Sequence, residues 1–589
     1  MNNKLTALRA RMRALNIDAY MIPSADDHQS EYVAPHWQTR AWFSGFTGST
    51  GLAIVTADHA GLWTDSRYFI QAESELAGTD VVLHKLRVPH TPEHLEWLQT
   101  ELPDGATIGV DGRQMSAAGM DLLRNRLAKK NFRFLTEHDL IGDIWTDRPA
   151  LPDAPVFEHE LKYTGRTRGE KLAELRARMV TENYLVTGLD ELCWLLNLRG
   201  SDVESNPLFY GFLLLDQNAG ILYVDATKIN DAILDLLMAE RIRLKPVADL
   251  VFDLEALNGT IAYAPGTLNE TLRRAIPEPL RRPTTSLIAL PKSKKTDTEI
   301  AHLRRAMERD GVALLRLVRW LRAELGTRAV PESEVAEYLA DLRRAGGRYH
   351  DESFPAIVGY AGNGAIVHYR PEAGKDAAIR AEGILLLDSG GQYHDGTTDI
   401  TRTFALGVPT AEQRRNYTLV LKGHINVARL KFPRGTAGVQ LDALARAPLW
   451  SAGLNYGHGT GHGVGFFLNV HEGPQSISHN VRSTAGRVAF EPGMITSNEP
   501  GFYKTGEYGI RIENLVLCRP AQTTEYGDFL EFEDLTLFPM ESALIDAEML
   551  SYEERKWLSG YHQMVFERLS RHLTEEEVAW LREACGVYA

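Results

Sequence analysis

Apolar positions at the start of the chain recur with helical spacing: Leu5, Leu8, Met12 and Leu15 alternate with Arg9, Arg11 and Arg13, which predicts an amphipathic helix. The short apolar run Ala19-Tyr20-Met21-Ile22-Pro23 then predicts a strand. Trp42 to Gly48 follows, then an apolar run from Gly51 that ends in Trp63-Thr64-Asp65. The same order returns later in the chain. A helix is predicted near Gly169–Met179 and a strand near Tyr184–Thr187. Asp190 to Asn197 carries the second tryptophan, and an apolar run from Gly211 ends in Tyr223-Val224-Asp225. Gly51 to Asp65 and Gly211 to Asp225 are both 14 residues apart. The gap between tryptophan and glycine is eight residues longer in the second copy, which we assign to a loop insertion. Strands and helices alternating at this spacing predict two α/β units of about 150 residues each.

Proline and charge mark the boundaries. Pro149, Pro152 and Pro155 place a first linker within Leu140–Pro155. Pro291-Lys292-Ser293-Lys294-Lys295 marks a second, expected to be a solvated linker. Beyond it, Thr296-Asp297-Thr298-Glu299 has the pattern of a capping box. The helix it opens carries Ile300, Leu303, Met307, Val312 and Leu315 on one face. From Ser551 onward, Trp557, Leu558, Tyr561, Met564, Val565 and Leu569 repeat at helical spacing as a packing stripe. At 589 residues the chain exceeds a single core. The expected domains are residues 1–150, 151–293 and 294–589.

Composition narrows the function classes. A hydrophobic fraction of 44% with 24% charged residues is ordinary for a globular protein. The net charge of −14, with no basic run interleaved with aromatics, argues against nucleic-acid binding. Three widely spaced cysteines, Cys193, Cys518 and Cys585, exclude a disulfide framework. The N-terminal helix lacks the continuous apolar segment of a secretory signal, and no window approaches a membrane span. A cytoplasmic protein without membrane partners is the expectation.

The chemistry concentrates between Asp388 and Glu513. Asp388 follows the apolar run Ile384 to Leu387, and Asp399 sits in the β-branched stretch Thr397 to Thr401. His462 lies in the glycine-studded segment starting at Gly457, Glu499 in Ser497-Asn498-Glu499-Pro500, and Glu513 in Arg511-Ile512-Glu513. Four carboxylates that converge repel one another unless cations neutralise them. Two divalent ions supply the matching charge, and an oxygen-rich set with one imidazole and no thiolate suits Mn²⁺, Co²⁺ or Zn²⁺. His458 precedes His462 by four residues, but glycines at 457, 459, 461, 463 and 465 make a shared helical face improbable. Arg511 is a candidate to orient the ligand carboxylates, with a plain salt bridge as the alternative. His394 and His479 are expected to be surface or locally hydrogen-bonded residues, and Phe354 a candidate apolar wall.

The ordered set Asp388, Asp399, His462, Glu499 and Glu513 resembles the ligand set of the pita-bread family of dinuclear metallopeptidases, which includes methionine aminopeptidase, prolidase and aminopeptidase P. The resemblance extends over the full chain and is nearest to the three-domain Xaa-Pro aminopeptidases. It implies two creatinase-like N-terminal α/β domains followed by a pita-bread catalytic domain, an α/β and α+β architecture. It further implies a homodimer, two divalent ions with manganese first and zinc or cobalt as alternatives, and peptide substrates with an Xaa-Pro N-terminus. The implied reaction is release of the residue before proline, by attack of a hydroxide shared between the two ions. The resemblance makes Glu499 the ligand that also handles the proton of that water. His368 is implied to contact the scissile amide or carry its proton, His458 to face the substrate, and His471 to hold the residue after the cut. Prolidase, which cuts only dipeptides, is the near alternative. A non-catalytic pita-bread binding protein is the distant one.

Overall fold

The computed structural model describes residues 2–87, 92–481 and 483–586. It resolves into two compact units, one of residues 1–160 and 166–288, the other of 161–165 and 289–589. Among the described residues, no helix is long and apolar enough to cross a membrane.

The first unit holds the predicted duplication. Its first sheet consists of β1 (Ala19–Pro23), β2 (Leu52–Thr56), β3 (Ala60–Thr64), β4 (Val82–Lys85), β5 (Thr107–Val110) and β6 (Arg133–Leu135), in the order β4-β3-β2-β1-β5-β6. The second consists of β7 (Asn183–Val186), β8 (Phe212–Asp216), β9 (Gly220–Tyr223), β10 (Ile242–Lys245), β11 (Ile261–Tyr263) and β12 (Arg281–Pro283), in the order β10-β9-β8-β7-β11-β12. The topologies match strand for strand, and so does the register. Leu52 pairs with Trp63 across the first hairpin, and Phe212 with Tyr223 across the second.

Burial on both faces explains why the central strands read as continuous apolar runs. Tyr20 and Ile22 of β1 pack with Leu5, Leu8 and Met12 of the first helix (Asn2–Ala14), while Ala19 and Met21 pack on the other side with Leu95, Leu98 and Met120. The second predicted helix spans Arg168–Arg178. The segment from Leu189 to Leu196 is also helical, and the longer connection that follows it accounts for the spacing difference between the copies.

The second unit opens on a 28-residue helix, Asp297–Glu324, whose N-terminus is closed by the capping box predicted at Thr296 and Glu299. Leu303, Met307, Val312 and Leu315 are buried along it. It contributes to the core that also covers the antiparallel strands β13 (Ile357–Tyr360), β14 (Ile384–Ser389) and β15 (Ile400–Ala405). A six-stranded sheet is built from β16 (Lys431–Pro433), β17 (Gly461–Gly463), β18 (Glu472–Ile477), β19 (Ile495–Asn498), β22 (Asn514–Thr524) and β23 (Gly527–Asp534). Between β19 and β22 the chain forms a separate ribbon, β20 (Gly501–Lys504) with β21 (Tyr508–Arg511). The C-terminal stripe is the predicted helix, Tyr552–Leu569.

The structure corrects the reading of the basic run before Thr296. Lys292 and Lys295 are buried, and both ammonium groups meet the buried carboxylate of Glu472, at 2.6 Å and 2.5 Å. Lys294, at the partly exposed end, pairs with Glu491 instead. The segment is therefore an anchor on β18 rather than a solvated linker, because a buried carboxylate requires cationic partners.

Candidate metal centre

Asp388 lies within β14, opposite Ile357 on one side and Thr401 on the other. The other three carboxylates share a different placement. Asp399 sits in the break between Gly396–Thr397 and β15, Glu499 between β19 and β20, and Glu513 between β21 and β22. A residue at such a break leaves the ladder, so its side chain can be re-aimed without disturbing the strand pairs beside it. His462 occupies the middle of the three-residue β17, where the register to β18 shifts between His462 and Gly463. The flanking glycines are required by neighbouring backbone. A Cβ on Gly461 would stand 1.9 Å from the Ser497 carbonyl, and one on Gly463 would stand 2.1 Å from that of Glu472. The glycines thus admit close strand approach, and the segment is no helix, as their spacing predicts.

These elements bring the five residues to one place. Ligand atoms of Asp399, His462 and Glu513 all lie within 4.8 Å of one another. His462 Nε2 stands 3.6 Å from Asp399 Oδ2 and 3.6 Å from Glu499 Oε1. Those separations are too long for hydrogen bonds. They approach the spacing of about 3.0–3.4 Å between donors that share an ion at about 2.1 Å. Asp388 joins through Arg511, whose Nη2 donates to its Oδ2 at 2.6 Å. Its other oxygen, Oδ1, is buried and has no hydrogen-bond partner among the described residues.

The electrostatics agree. Burial, then Glu513, Asp388 and Glu499, holds the Asp399 carboxyl well above the usual range. Burial, then Asp388 and Glu499, does the same to Glu513. Glu499 is pushed up to about 7, by burial first and with Asp388 adding, against the opposing effect of Arg511 and His471. Among the described residues, the guanidinium that acts on these four carboxylates is that of Arg511. An orphaned carboxylate oxygen, an imidazole nitrogen at non-bonding distance and an excess of acids fit two divalent cations.

Arg511 does not reach Glu513 directly, because the strand ends at Arg511. It binds Asp388, and its Nε donates to Thr401 Oγ1 at 3.2 Å, while that hydroxyl donates to Glu513 Oε2 at 2.8 Å. Its orienting effect on Glu513 thus runs through Thr401. Nη1 also donates to the Tyr503 hydroxyl at 2.6 Å.

Three further histidines surround the cluster at different removes. The His471 ring meets that of His462 edge-on, centroids 4.2 Å apart. His458 Nε2 is 2.8 Å from the Tyr503 hydroxyl, which ties it to Arg511 rather than to the carboxylates. His368 is partly buried in the turn after Ala361–Ala365, and the carbonyl of its neighbour Val367 accepts from Arg511 Nη2 at 3.3 Å. His394 packs instead against Phe467, His350 and Tyr163. Tyr503 and Thr401 carry much of this network, yet no spacing rule singles out either. Thr401 was visible only as part of a β-branched run, and Tyr503 only as one aromatic after a glycine.

Comparison with known proteins gives a consistent picture. Residues 301–520 match the model of metallopeptidase family M24, and 528–588 match the C-terminal region of peptidase M24. The Creatinase/Prolidase N-terminal domain is matched twice, at 4–139 and at 147–299. A probable Xaa-Pro aminopeptidase P of Laccaria bicolor is 38% identical over 602 residues, covering 99% of this chain and 93% of its own. Aminopeptidase P2 of Arabidopsis thaliana is 38% identical over 613 residues, covering 97% and 86%. Among solved structures, the X-prolyl aminopeptidase of Caenorhabditis elegans, described as a cytosolic enzyme with a di-nuclear active site, superposes with a TM-score of 0.95 at 35% identity over 99% of both chains.

Proposed function

Since this chain belongs to metallopeptidase family M24, with two creatinase-like domains ahead of a pita-bread catalytic domain, we propose that it acts as an Xaa-Pro aminopeptidase, releasing the N-terminal residue from peptides with proline second. The observation that carries this reading is the crowding of four carboxylates and one imidazole beside the guanidinium of Arg511.

Asp388, Asp399, His462, Glu499 and Glu513 would hold two divalent ions. Those ions, when bound, supply Lewis acidity and a nucleophilic oxygen from water at neutral pH. The chain's own groups do the rest. Glu499 Oε1 faces His462 Nε2 and accepts from Ser497 Oγ at 3.3 Å, so its carboxylate is held in place to take up the proton of the attacking water. His458 is braced by Tyr503 and is assigned the substrate side. His368 is assigned the proline nitrogen, which must gain a proton to leave. His471, packed on His462, is assigned the residue after the cut. Proline lacks the amide N–H that other peptidases register on, so its fixed ring must be recognised by shape.

Manganese is the proposed metal, supported by an oxygen-rich donor set without thiolate. A cytoplasmic homodimer completes the reading, with the domains divided at 1–150, 151–293 and 294–589. The test is a peptide panel. Xaa-Pro-Xaa peptides are expected to be cleaved after the first residue, with Xaa-Pro dipeptides poor substrates. Cleavage confined to the dipeptides would make the enzyme a prolidase.

A further inference from the structure

The glutamate that opens the helix Glu332–Ala345 is fully buried, and its carboxylate serves a segment well beyond that helix. A glutamate in the first turn of a helix ordinarily closes that helix, as Glu299 does by accepting from the N–H of its own cap, Thr296, at 2.8 Å. The donors to Glu332 lie instead 28 to 45 positions further along. Its Oε1 accepts from the Tyr360 N–H at 2.7 Å, and its Oε2 from the Tyr369 hydroxyl at 2.8 Å and the Ala377 N–H at 2.9 Å. The Asn363 amide donates to both oxygens, at 3.1 Å and 3.0 Å. All four donors are neutral, so the carboxylate is not there to answer a charge. A buried polar group needs its partners, and these are spread along one segment.

That segment carries His368. Tyr360 ends β13, Asn363 lies in the turn Ala361–Ala365, and Tyr369 adjoins His368. Ala377 closes the excursion, because Ala378 and Ile379 pair with Pro331 and Val330 just ahead of Glu332. Residues 366–377 join no strand or helix, so no backbone ladder holds them. The segment caps the helix in turn, with Asp376 Oδ2 accepting from the Ser333 N–H at 2.7 Å. It also meets the acidic centre. Arg511 Nη2, which donates to Asp388, reaches the Val367 carbonyl at 3.3 Å. A Cβ on Gly509 would stand 1.7 Å from the Gly364 carbonyl oxygen, so β21 meets the segment backbone to backbone. Burial, then Glu332, raises the Tyr369 hydroxyl above its ordinary range, so it stays a donor at neutral pH.

We propose that Glu332 is a positioning residue for peptide hydrolysis, acting through His368: its carboxylate fixes the entry, the turn and the exit of the segment, and so sets where the His368 ring stands against the acidic centre. The inference rests on the assignment of His368 to the proline nitrogen made above. A proton reaches a leaving nitrogen only from a group within hydrogen-bond reach, and a displacement of about 1 Å can cost about a hundredfold in rate. Glutamine at 332 keeps the shape but turns one acceptor into a donor. Whichever way its amide faces, the N–H of Tyr360 or of Ala377 then meets a donor.

The experiment is a double-mutant cycle on the full-length, Mn²⁺-loaded protein, with E332Q, H368A and the two combined, read as kcat and KM on an Xaa-Pro-Xaa peptide. E332Q is expected to lower kcat by about tenfold or more, with KM and Mn²⁺ content near wild type. In the H368A background the same substitution is expected to change kcat by less than about twofold, because residues that act as a unit are not additive. Y369F removes one donor and leaves the carboxylate. It is expected to show a smaller loss with the same dependence on His368, and it carries the test if E332Q does not fold. In the ion-free protein, amide exchange at Tyr360 and Ala377 is expected to quicken in E332Q. Equal fold-losses of kcat with and without His368, or unchanged exchange at both amides, would overturn the proposal and leave Glu332 as part of the fold alone. Turnover by H368A equal to wild type would overturn the His368 assignment itself, and this inference with it.

Discussion

Two clusters of buried charge meet at the glycine-rich segment around His458, and they are built on opposite principles. In the first, Arg446 and Asp442 neutralise each other one to one, at 2.6 Å. The spare donors of Arg446 go to the carbonyls of Tyr456 and His458, at 2.7 Å and 2.6 Å, and Asp442 accepts from Thr460 at 2.7 Å. In the second, Asp388, Asp399, Glu499 and Glu513 share the guanidinium of Arg511, and the buried Oδ1 of Asp388 has no hydrogen-bond partner among the described residues. The first cluster is complete within the chain and supports the fold. The second is complete only with cations from outside, so it marks chemistry. His458 joins the two, its carbonyl held by Arg446 and its ring by Tyr503.

Breaking each side should therefore give different losses. Glu499→Ala is expected to lower peptide turnover by at least about a thousandfold and to weaken ion retention, while the melting transition of the ion-free protein stays close to wild type. Steady-state kinetics with metal analysis checks this. Arg446→Ala acts on the other cluster: it leaves Asp442 buried and unpaired, at an expected loss of about 3–5 kcal/mol of stability, read by denaturant unfolding. If Arg446→Ala left stability intact, the contrast between the clusters would fail.

The joint between them sharpens the comparison. His458→Ala is expected to reduce turnover by about a hundredfold with ion content near normal; loss of bound ions would make His458 a ligand. Tyr503→Phe removes the hydroxyl shared by Arg511 and His458, and should cost about tenfold in kcat with the ions retained. An unchanged kcat in that variant would show that the bridge does not position His458.

Much of this was legible in the sequence for physical reasons. Strands buried on both faces read as unbroken apolar runs, and the paired spacings Gly51–Asp65 and Gly211–Asp225 reflect hairpins of identical register. The capping box at Thr296 is a local hydrogen-bond pattern, so it needed no tertiary information. The convergence of Asp399, His462 and Glu513 was expected from the resemblance of the ordered ligand set, with carboxylates following apolar or β-branched runs, where unpaired charge is costly, as the local sign. What could not be read was set by contacts remote in sequence. The partner of Lys292 and Lys295 is Glu472, 177 residues beyond Lys295, so a buried anchor resembled a solvated basic linker. The same holds for Tyr503, whose value lies in touching both Arg511 and His458. Arg511 was a candidate to orient the ligand carboxylates, but which one it meets depends on where the strand ends, and the guanidinium turns to Asp388.

The account rests on the acidic centre being completed by two cations. Its most direct test is a Mn²⁺ titration of chelator-treated protein, with turnover of an Xaa-Pro-Xaa peptide followed at each addition. Turnover should start near zero and climb in step with the binding of about two ions per chain. Full turnover before any ion is added would contradict it.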